Sequence, residues 1–168
     1  MEIERKFTIK SLPDDYTKFP FHHIEQAYLN TDPVVRVRRE DERYYLTYKG
    51  KGMLAREEYN LDLNKEAYLH LRDKADGNVI SKKRYLIPLK NPQFKEGGAK
   101  PPADYILTIE LDIFDPPFQP LVLAEVEFGS KEAAESFLPP DWFWEDVTYD
   151  AHYHNSNLSK MNFSDTSL

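Results

Sequence analysis

Charged side chains that share one face of a β-strand are the residues of this sequence best suited to chemistry. Residues two positions apart on a strand lie on the same face, so Arg36 and Arg38 form a basic pair and Glu125 and Glu127 an acidic pair. Further sets have the same spacing: Glu2, Glu4 and Lys6; Thr47 and Lys49; Glu58, Asn60 and Asp62; Lys82 and Arg84; Glu110 and Asp112. Beyond the first strand each set carries one sign of charge, whereas mixed signs serve a solubilising surface better.

Faces that carry only acids or only bases need partners of the opposite charge. Clustered carboxylates raise one another's pKa unless a cation lies among them, and oxygen ligands without cysteine suit Mg²⁺ or Mn²⁺. Clustered Arg and Lys need an anion, and guanidinium groups match phosphate oxygens two at a time. A phosphate chain with its divalent metal ion satisfies both sets and predicts metal-assisted phosphoanhydride chemistry. The pattern alone leaves open whether these faces line a polar interior or point to solvent.

Segments rich in Val, Ile, Tyr, Phe and Thr, bounded by turn residues, predict the strands that position these side chains. Eight strands are expected near residues 2–10, 23–30, 34–40, 42–49, 56–63, 78–88, 104–114 and 121–128. Residues 91–104 contain Pro and Gly and are predicted to form a surface loop. This order of elements predicts a mainly β (α+β) fold with a closed or nearly closed antiparallel sheet, formed by residues 1–168 as one domain.

A few helices are expected outside this sheet. Asn64 and Ser130 are suited to the N-cap position, so we expect a helix after each of them. A third helix is predicted over about residues 150–160. Trp142, Phe143 and Trp144 are expected to pack in an outer helix or loop.

Composition and charge exclude several classes of protein. The chain has 168 residues, no cysteine and a net charge of −7, which excludes disulfides, thiolate catalysis and Cys-ligated zinc. An acidic chain is not suited to coating nucleic acid. No apolar run is long enough to span a bilayer, and residues 1–6 are charged where a signal peptide needs an apolar stretch. We therefore expect a cytoplasmic protein with neither nucleic acid nor membrane as partner, and leave its oligomeric state open.

Taken in order, the charge motifs resemble those of a known enzyme family. Glu2-Ile3-Glu4-Arg5-Lys6 is similar to the N-terminal ExExK signature of the triphosphate tunnel metalloenzymes, also called the CYTH superfamily. Arg36-Val37-Arg38 resembles the RxR strand of this family. Similar tunnel charges lie at Lys49, Glu58, Lys82-Lys83-Arg84, Glu110-Leu111-Asp112 and Glu125-Val126-Glu127, and the tail from Val147 to Leu158 resembles the C-terminal plug. ExExK alone is weak evidence, but the ordered set over nearly the whole chain is specific.

The resemblance implies an eight-stranded antiparallel tunnel with a C-terminal plug helix, and metal-dependent hydrolysis of a triphosphate with Mg²⁺ or Mn²⁺. It implies catalytic roles for Glu2, Glu4, Lys6 and Glu127. The implied metal ligands are Glu2, Glu4, Asp112, Glu125 and Glu127. The implied substrate contacts are Lys6, Arg36, Arg38, Lys49, Glu58, Lys82 and Arg84. Short bacterial members often hydrolyse inorganic tripolyphosphate to pyrophosphate and phosphate, and we expect this reaction here.

Two positions depart from the family pattern, and two other functions stay open. Asn60 stands where relatives carry a second acid after the one that matches Glu58, and His152 stands where a basic residue is expected. The enzyme alternative is a class IV adenylate cyclase or a nucleoside or thiamine triphosphatase. The other alternative is a polyphosphate-binding module without turnover. The absence of a nucleotide motif favours an inorganic substrate, while the parts played by Glu110 and Lys160 are left open.

Overall fold

Antiparallel strands are the main elements of the computed structural model, which describes residues 1–162. The strands are β1 (Glu2–Ile9), β2 (Phe21–Thr31), β3 (Val34–Glu40), β4 (Arg43–Lys49), β5 (Ala55–Arg56), β6 (Glu58–Leu63), β7 (Ile80–Lys90), β8 (Gln93–Phe94), β9 (Ile106–Phe114), β10 (Val122–Glu127), β11 (Phe137–Leu138) and β12 (Phe143–Asp146). The helices are α1 (Lys65–Arg72), α2 (Lys131–Ser136) and α3 (Asn155–Leu158), with single 3₁₀ turns at Tyr16–Lys18 and Ala151–Tyr153.

The eight long strands are neighbours in one antiparallel sheet, as the sequence predicts. The strand order is β12-β1-β10-β9-β7-β2-β3-β4-β6, and β5 pairs with β1. Only Glu57 separates β5 from β6, so β5 joins the two ends of the sheet. This seam consists of two residue pairs, Glu2 with Arg56 and Ile3 with Ala55. The mainly β antiparallel fold is therefore confirmed, but within residues 1–162 the ring of strands is not closed by a full ladder.

Helices and short strands cover the outer, apolar face of the sheet. Both predicted N-caps are present: the Asn64 side chain accepts a hydrogen bond from Ala67 N at 2.7 Å and Ser130 accepts one from Ala133 N at 3.1 Å. In α1, Tyr68 is buried against outward-facing residues of β2, β3 and β4. Ala134 of α2 is buried in a second apolar cluster with side chains of β1, β9 and β10. With the apolar residues outside, the charged residues of the same strands face the interior of the sheet.

The interior changes from charged to apolar along the same strand faces. Val34, Ile80, Phe114 and Leu123 stand two residues from Arg36, Lys82, Asp112 and Glu125, respectively. All four apolar residues are buried in one cluster with Leu158 of α3. This cluster ends the charged band and keeps the C-terminal segment against the sheet.

The C-terminal segment differs from the single helix predicted over residues 150–160. His154 has an extended backbone (φ −74°, ψ 134°) and separates the 3₁₀ turn from α3. The segment is instead anchored at Gly77 and Asn78, where Asn78 N donates to Ser159 O at 2.6 Å. Gly77 has φ +83°, and a Cβ there would clash with Ser159 O. A helical pattern in the sequence could not show this anchor, because it depends on a distant turn.

Three short strands were also not predicted. Phe143 lies in β12, which pairs with β1, rather than in the expected helix or loop. Phe94, in the segment predicted to be a loop, lies in β8, which pairs with β11. Strands this short carry too few residues to show alternation. Among residues 1–162, no helix has the length and apolar character needed to cross a membrane.

Candidate active site in the charged cavity

The interior of the sheet holds a polar cavity of about 200 Å³, which we call the charged cavity. It is smaller than the roughly 300–1,000 Å³ of sites for drug-sized ligands. Ten of the predicted site residues line it: Glu2, Glu4, Lys6, Arg36, Arg38, Lys49, Glu58, Arg84, Glu125 and Glu127. The structure therefore answers the question that the sequence pattern leaves open, since these charged faces point inward.

Carboxylates crowd one wall of the charged cavity. Glu4 of β1 and Glu127 of β10 are direct partners across the ladder. Burial raises the pKa of Glu2 to about 8, with further contributions from Glu4 and Glu58. Burial, followed by the charges of Glu4 and Glu58, also raises the pKa of Glu127. The positive charge nearby is too small for all of these carboxylates to be ionised together. A cation would therefore stabilise this acidic wall, formed by Glu2, Glu4, Glu58 and Glu127.

Glu2 and Glu58 share one cationic neighbour. Both oxygens of Glu2 accept from Lys49 Nζ at 3.0 Å, and Glu58 Oε2 lies 3.3 Å from the same nitrogen. A hydrogen bond with Glu2, together with Lys49, lowers the pKa of Glu58 to about 2 despite its partial burial. One proton held by Glu2 therefore leaves Glu58 ionised.

The acidic wall suits a divalent metal ion by the chemistry of its donors. Glu2, Glu4, Glu58 and Glu127 offer only carboxylate oxygens, which Mg²⁺ and Mn²⁺ prefer. The raised pKa values of Glu2 and Glu127 mark a place where a bound cation would replace a proton. Among the described residues no three carboxylate or histidine groups already converge as a ready ligand set. The residues thus fit the metal in kind and charge, and would have to approach one another to bind it.

The Asp112 cluster consists of Lys82, Arg84 and Asp112. Lys82 and Asp112 lie behind the cavity lining, and Arg84 reaches into it. Lys82 Nζ donates to Asp112 at 2.6 Å, and Arg84 Nε and Nη2 donate to it at 2.7 and 2.8 Å. Burial would raise the pKa of Asp112, but Arg84 and Lys82 outweigh it and hold that pKa low. Lys82 and Asp112 are fully buried and do not line the charged cavity. For these two residues, the geometry favours the role of holding Arg84 over direct contact with phosphate or metal.

Arg84 and Lys6 reach from this side into the cavity, and both are paired with acids. Arg84 Nη2 donates to Glu125 at 3.1 Å, and Arg84 also forms an ion pair with Glu110. Lys6 Nζ lies 3.2 Å from Glu125 Oε1 and donates to Tyr153 O at 3.2 Å. Burial would lower the pKa of Lys6, but Glu125 and Glu4 raise it overall. Both groups therefore stay cationic beside the acidic wall.

The arginine pair, Arg36 and Arg38, is different. Both side chains are buried, and neither forms an ion pair with an acid within residues 1–162. Arg36 Nη2 donates to Thr47 Oγ1 at 3.2 Å, and Arg38 Nε and Nη2 donate to Gln26 Oε1 at 2.8 and 2.5 Å.

Burial and the charge of Arg38 lower the pKa of Arg36, and its buried Nε has no hydrogen-bond partner among the described residues. Buried charges without partners are costly. The arginine pair therefore suits an anion in charge and geometry.

Other residues of the cavity lining were not predicted as site residues. They are Tyr28, Val34, Glu40, Arg43, Tyr45, Arg56, Asn60, His154, Asn155 and Ser156. Tyr28 and Tyr45 keep the two-residue spacing of their strands, but an uncharged ring gave no reason to select them. His154 lines the cavity, whereas His152, the position where a basic residue was expected, is exposed. Glu110 also lines the cavity, and Lys160 is exposed outside it.

Comparisons with known proteins agree with this geometry. The family model described as CYTH domain matches residues 1–115. The chain is 35% identical over 162 residues to a protein of Nitrosomonas europaea named inorganic triphosphatase, covering 94% of this chain and 96% of that one. It is 33% identical over 164 residues to an inorganic triphosphatase of Acetivibrio thermocellus, covering 95% and 93%. The crystal structure of an inorganic triphosphatase superposes with a TM-score of 0.63 at 32% identity, covering 96% of each chain.

Proposed function

The chain belongs to the CYTH domain family, and we propose that it hydrolyses inorganic tripolyphosphate to pyrophosphate and phosphate. The names of the two similar proteins support a triphosphate substrate. The observation that carries the proposal is the arginine pair, two buried guanidinium groups with no acid beside them in the described chain. A phosphate chain supplies the missing negative charge in a geometry that guanidinium groups match.

Binding would divide the substrate between two sides of the charged cavity. Arg36 and Arg38 would contact phosphate oxygens on one side, and Lys6, Lys49 and Arg84 would contact them on the other. The raised pKa of Lys6 keeps it an ammonium ion, so it would offset phosphate charge rather than accept a proton. Because these five cations come from four strands of one sheet, they would fix the reacting phosphorus with little reorganisation.

The metal ion would be held by Glu2, Glu4 and Glu127 of the acidic wall together with the neighbouring Glu125. When bound, the metal ion supplies positive charge that offsets the charge on the reacting phosphoryl group. Glu125 is kept ionised by Lys6 and Arg84, which outweigh its burial and hold its pKa well below the usual value. Glu2 would give up its proton on binding the metal, because burial raises its pKa to about 8 without it. The pKa of Glu127 is also raised by burial and by Glu4, so a bound cation would favour its ionised form.

The reaction itself is the addition of water across a phosphoanhydride bond. The water oxygen forms a bond to the terminal phosphorus and loses a proton to the products or to solvent, while the bridging phosphorus–oxygen bond breaks and pyrophosphate leaves. Basic residues on both sides of the cavity would offset the charge that develops on the leaving pyrophosphate.

The character of the lining favours an inorganic substrate. Apart from Tyr28, Val34 and Tyr45, the lining side chains are charged or polar. Tyr45 is already occupied, since its hydroxyl donates to Glu40 at 3.1 Å and its ring lies 4.7 Å from the Arg43 guanidinium. An adenine or thiamine group would find little flat apolar surface here.

Phosphate release from tripolyphosphate, ATP and thiamine triphosphate, each with Mg²⁺ or Mn²⁺, tests the proposal. We expect release from tripolyphosphate to exceed the other two and to stop in excess chelator. Formation of cyclic AMP from ATP, or tight polyphosphate binding without turnover, would contradict the proposal. The choice between Mg²⁺ and Mn²⁺ and the cytoplasmic location stay predictions from the sequence.

A further inference from the structure

A short chain of hydrogen bonds links the arginine pair to the acidic wall. Arg36 Nη2 donates to Thr47 Oγ1 at 3.2 Å, and Thr47 Oγ1 donates to Asn60 Oδ1 at 2.6 Å. Asn60 Nδ2 then donates to Glu58 Oε1 at 3.0 Å. Thr47 is fully buried behind the lining, while Asn60 lies in it. The sequence shows the alternation of these strands but not this connection, because Thr47 and Asn60 meet only through the register of β4 and β6.

The direction of these hydrogen bonds is set at both ends. Arg36 can only donate, and Glu58 Oε1 accepts the last hydrogen bond from Asn60 Nδ2. The single hydroxyl hydrogen of Thr47 must therefore point to Asn60, and the amide of Asn60 must present its oxygen to Thr47 and its nitrogen to Glu58. Asn satisfies this arrangement, whereas a carboxylate at position 60 would repel Glu58. One consistent arrangement of donors and acceptors thus holds the Arg36 side chain.

We propose that Thr47 and Asn60 are positioning residues that hold Arg36 ready to bind a phosphate group of the substrate. The inference rests on the proposed triphosphate function. Arg36 Nε has no partner in the described chain, although it is buried, so this donor remains for the ligand. With one guanidinium nitrogen anchored on a neutral hydroxyl, Arg36 keeps its full positive charge for the anion. Neither Thr47 nor Asn60 needs to contact the reacting atoms for this role.

The test is a double-mutant cycle between Thr47→Val and Arg36→Ala, assayed on tripolyphosphate. Val keeps the shape of Thr and removes the hydroxyl. We expect Thr47→Val to raise KM by roughly three- to tenfold, the effect of one lost hydrogen bond, and to leave kcat within about twofold. Thr47→Ser should restore the parent KM. In the Arg36→Ala background Thr47→Val should change KM no further, because its effect passes through Arg36.

A purely structural role makes different predictions. If Thr47 had only a structural role, Thr47→Val would lower the melting temperature, and its effect on KM would add to the effect of Arg36→Ala. Additive effects on KM together with a lower melting temperature would overturn the inference. Asn60→Ala gives a second readout that should match Thr47→Val in KM.

If the parent releases no phosphate from tripolyphosphate, the proposed function fails, and the inference is then tested without turnover. Tripolyphosphate in excess chelator should raise the melting temperature of the parent more than that of Thr47→Val. Equal shifts, or no shift in either protein, would overturn it.

Discussion

Two sets of buried cations lie in and behind the lining of the charged cavity, and they are satisfied in different ways. The Asp112 cluster places Lys82 and Arg84 on a fully buried carboxylate, with Nζ, Nε and Nη2 donors 2.6 to 2.8 Å from its oxygens. The acceptors of the arginine pair within residues 1–162 are neutral, and they include the hydroxyls of Thr47 and Tyr45 and the amide oxygen of Gln26. The first set is complete without a ligand, and the second lacks an anion. Residue type alone therefore does not distinguish a binding arginine from a structural one, but its partners do.

Substitutions in the acidic wall should have the largest effect on activity, and they distinguish the chemistry at this wall from binding by the arginine pair. Glu4→Gln and Glu127→Gln keep the size of the side chain but remove a charge from the wall that would hold the metal ion. We expect kcat on tripolyphosphate to fall by orders of magnitude, while the fold and the Arg36-dependent binding remain. Full activity of either variant, or of the parent in excess chelator, would contradict this expectation.

Asp112→Asn tests whether the Asp112 cluster stabilises the fold. Removing the carboxylate leaves Lys82 without its partner and weakens the support of Arg84. We expect the free energy of unfolding, measured by denaturant titration, to fall by about 3–5 kcal/mol, as for other broken buried ion pairs. Arg36→Met is the matched comparison. It removes a buried charge that has no counter-ion within residues 1–162, so it should leave the free energy of unfolding unchanged or raise it. Equal destabilisation by the two variants would remove the distinction.

Gln26→Glu would give the arginine pair a carboxylate partner, as the Asp112 cluster already has. Gln26 Oε1 already accepts two hydrogen bonds from Arg38, so the substitution supplies an acid at the same distance. We expect a more stable protein whose KM for tripolyphosphate rises by roughly tenfold, since a charge-assisted contact is diverted from the substrate. A variant that is more stable and binds as tightly as the parent would show that Arg38 does not need to be free of acids.

The raised pKa of Glu2 also predicts a pH dependence of stability. The unfolded chain releases the Glu2 proton near pH 4.5, whereas the folded chain keeps it until about pH 8. Between these values the folded state binds more protons, so the free energy of unfolding should fall as the pH rises. Glu2→Gln should reduce this slope, and Mg²⁺ or Mn²⁺ should oppose it by replacing the proton. A metal-free parent whose stability rises over this window would contradict the raised pKa.

Alternation of side chains on strands explains why much of the site could be predicted. Glu2, Glu4, Arg36 and Arg38 follow a two-residue spacing that any extended strand imposes, and the structure brings these residues together. Arg56 shows the limit, because it enters the lining through a two-residue strand whose pairing with β1 depends on the curvature of the whole sheet. Asp112 shows another limit. Its spacing matches that of a lining acid, but its place in the register puts it between two cations.

Melting curves recorded without metal ions test directly whether the arginine pair binds the phosphate chain. Parent, Arg36→Ala, Arg38→Ala and Lys83→Ala would each be heated with and without tripolyphosphate in excess chelator, so that no turnover occurs. Lys83 is exposed on the opposite face of β7 and serves as the matched control. We expect tripolyphosphate to raise the melting temperature of the parent and of Lys83→Ala. The increase should be much smaller for Arg36→Ala and Arg38→Ala. An equal shift in all four proteins would contradict binding by the arginine pair.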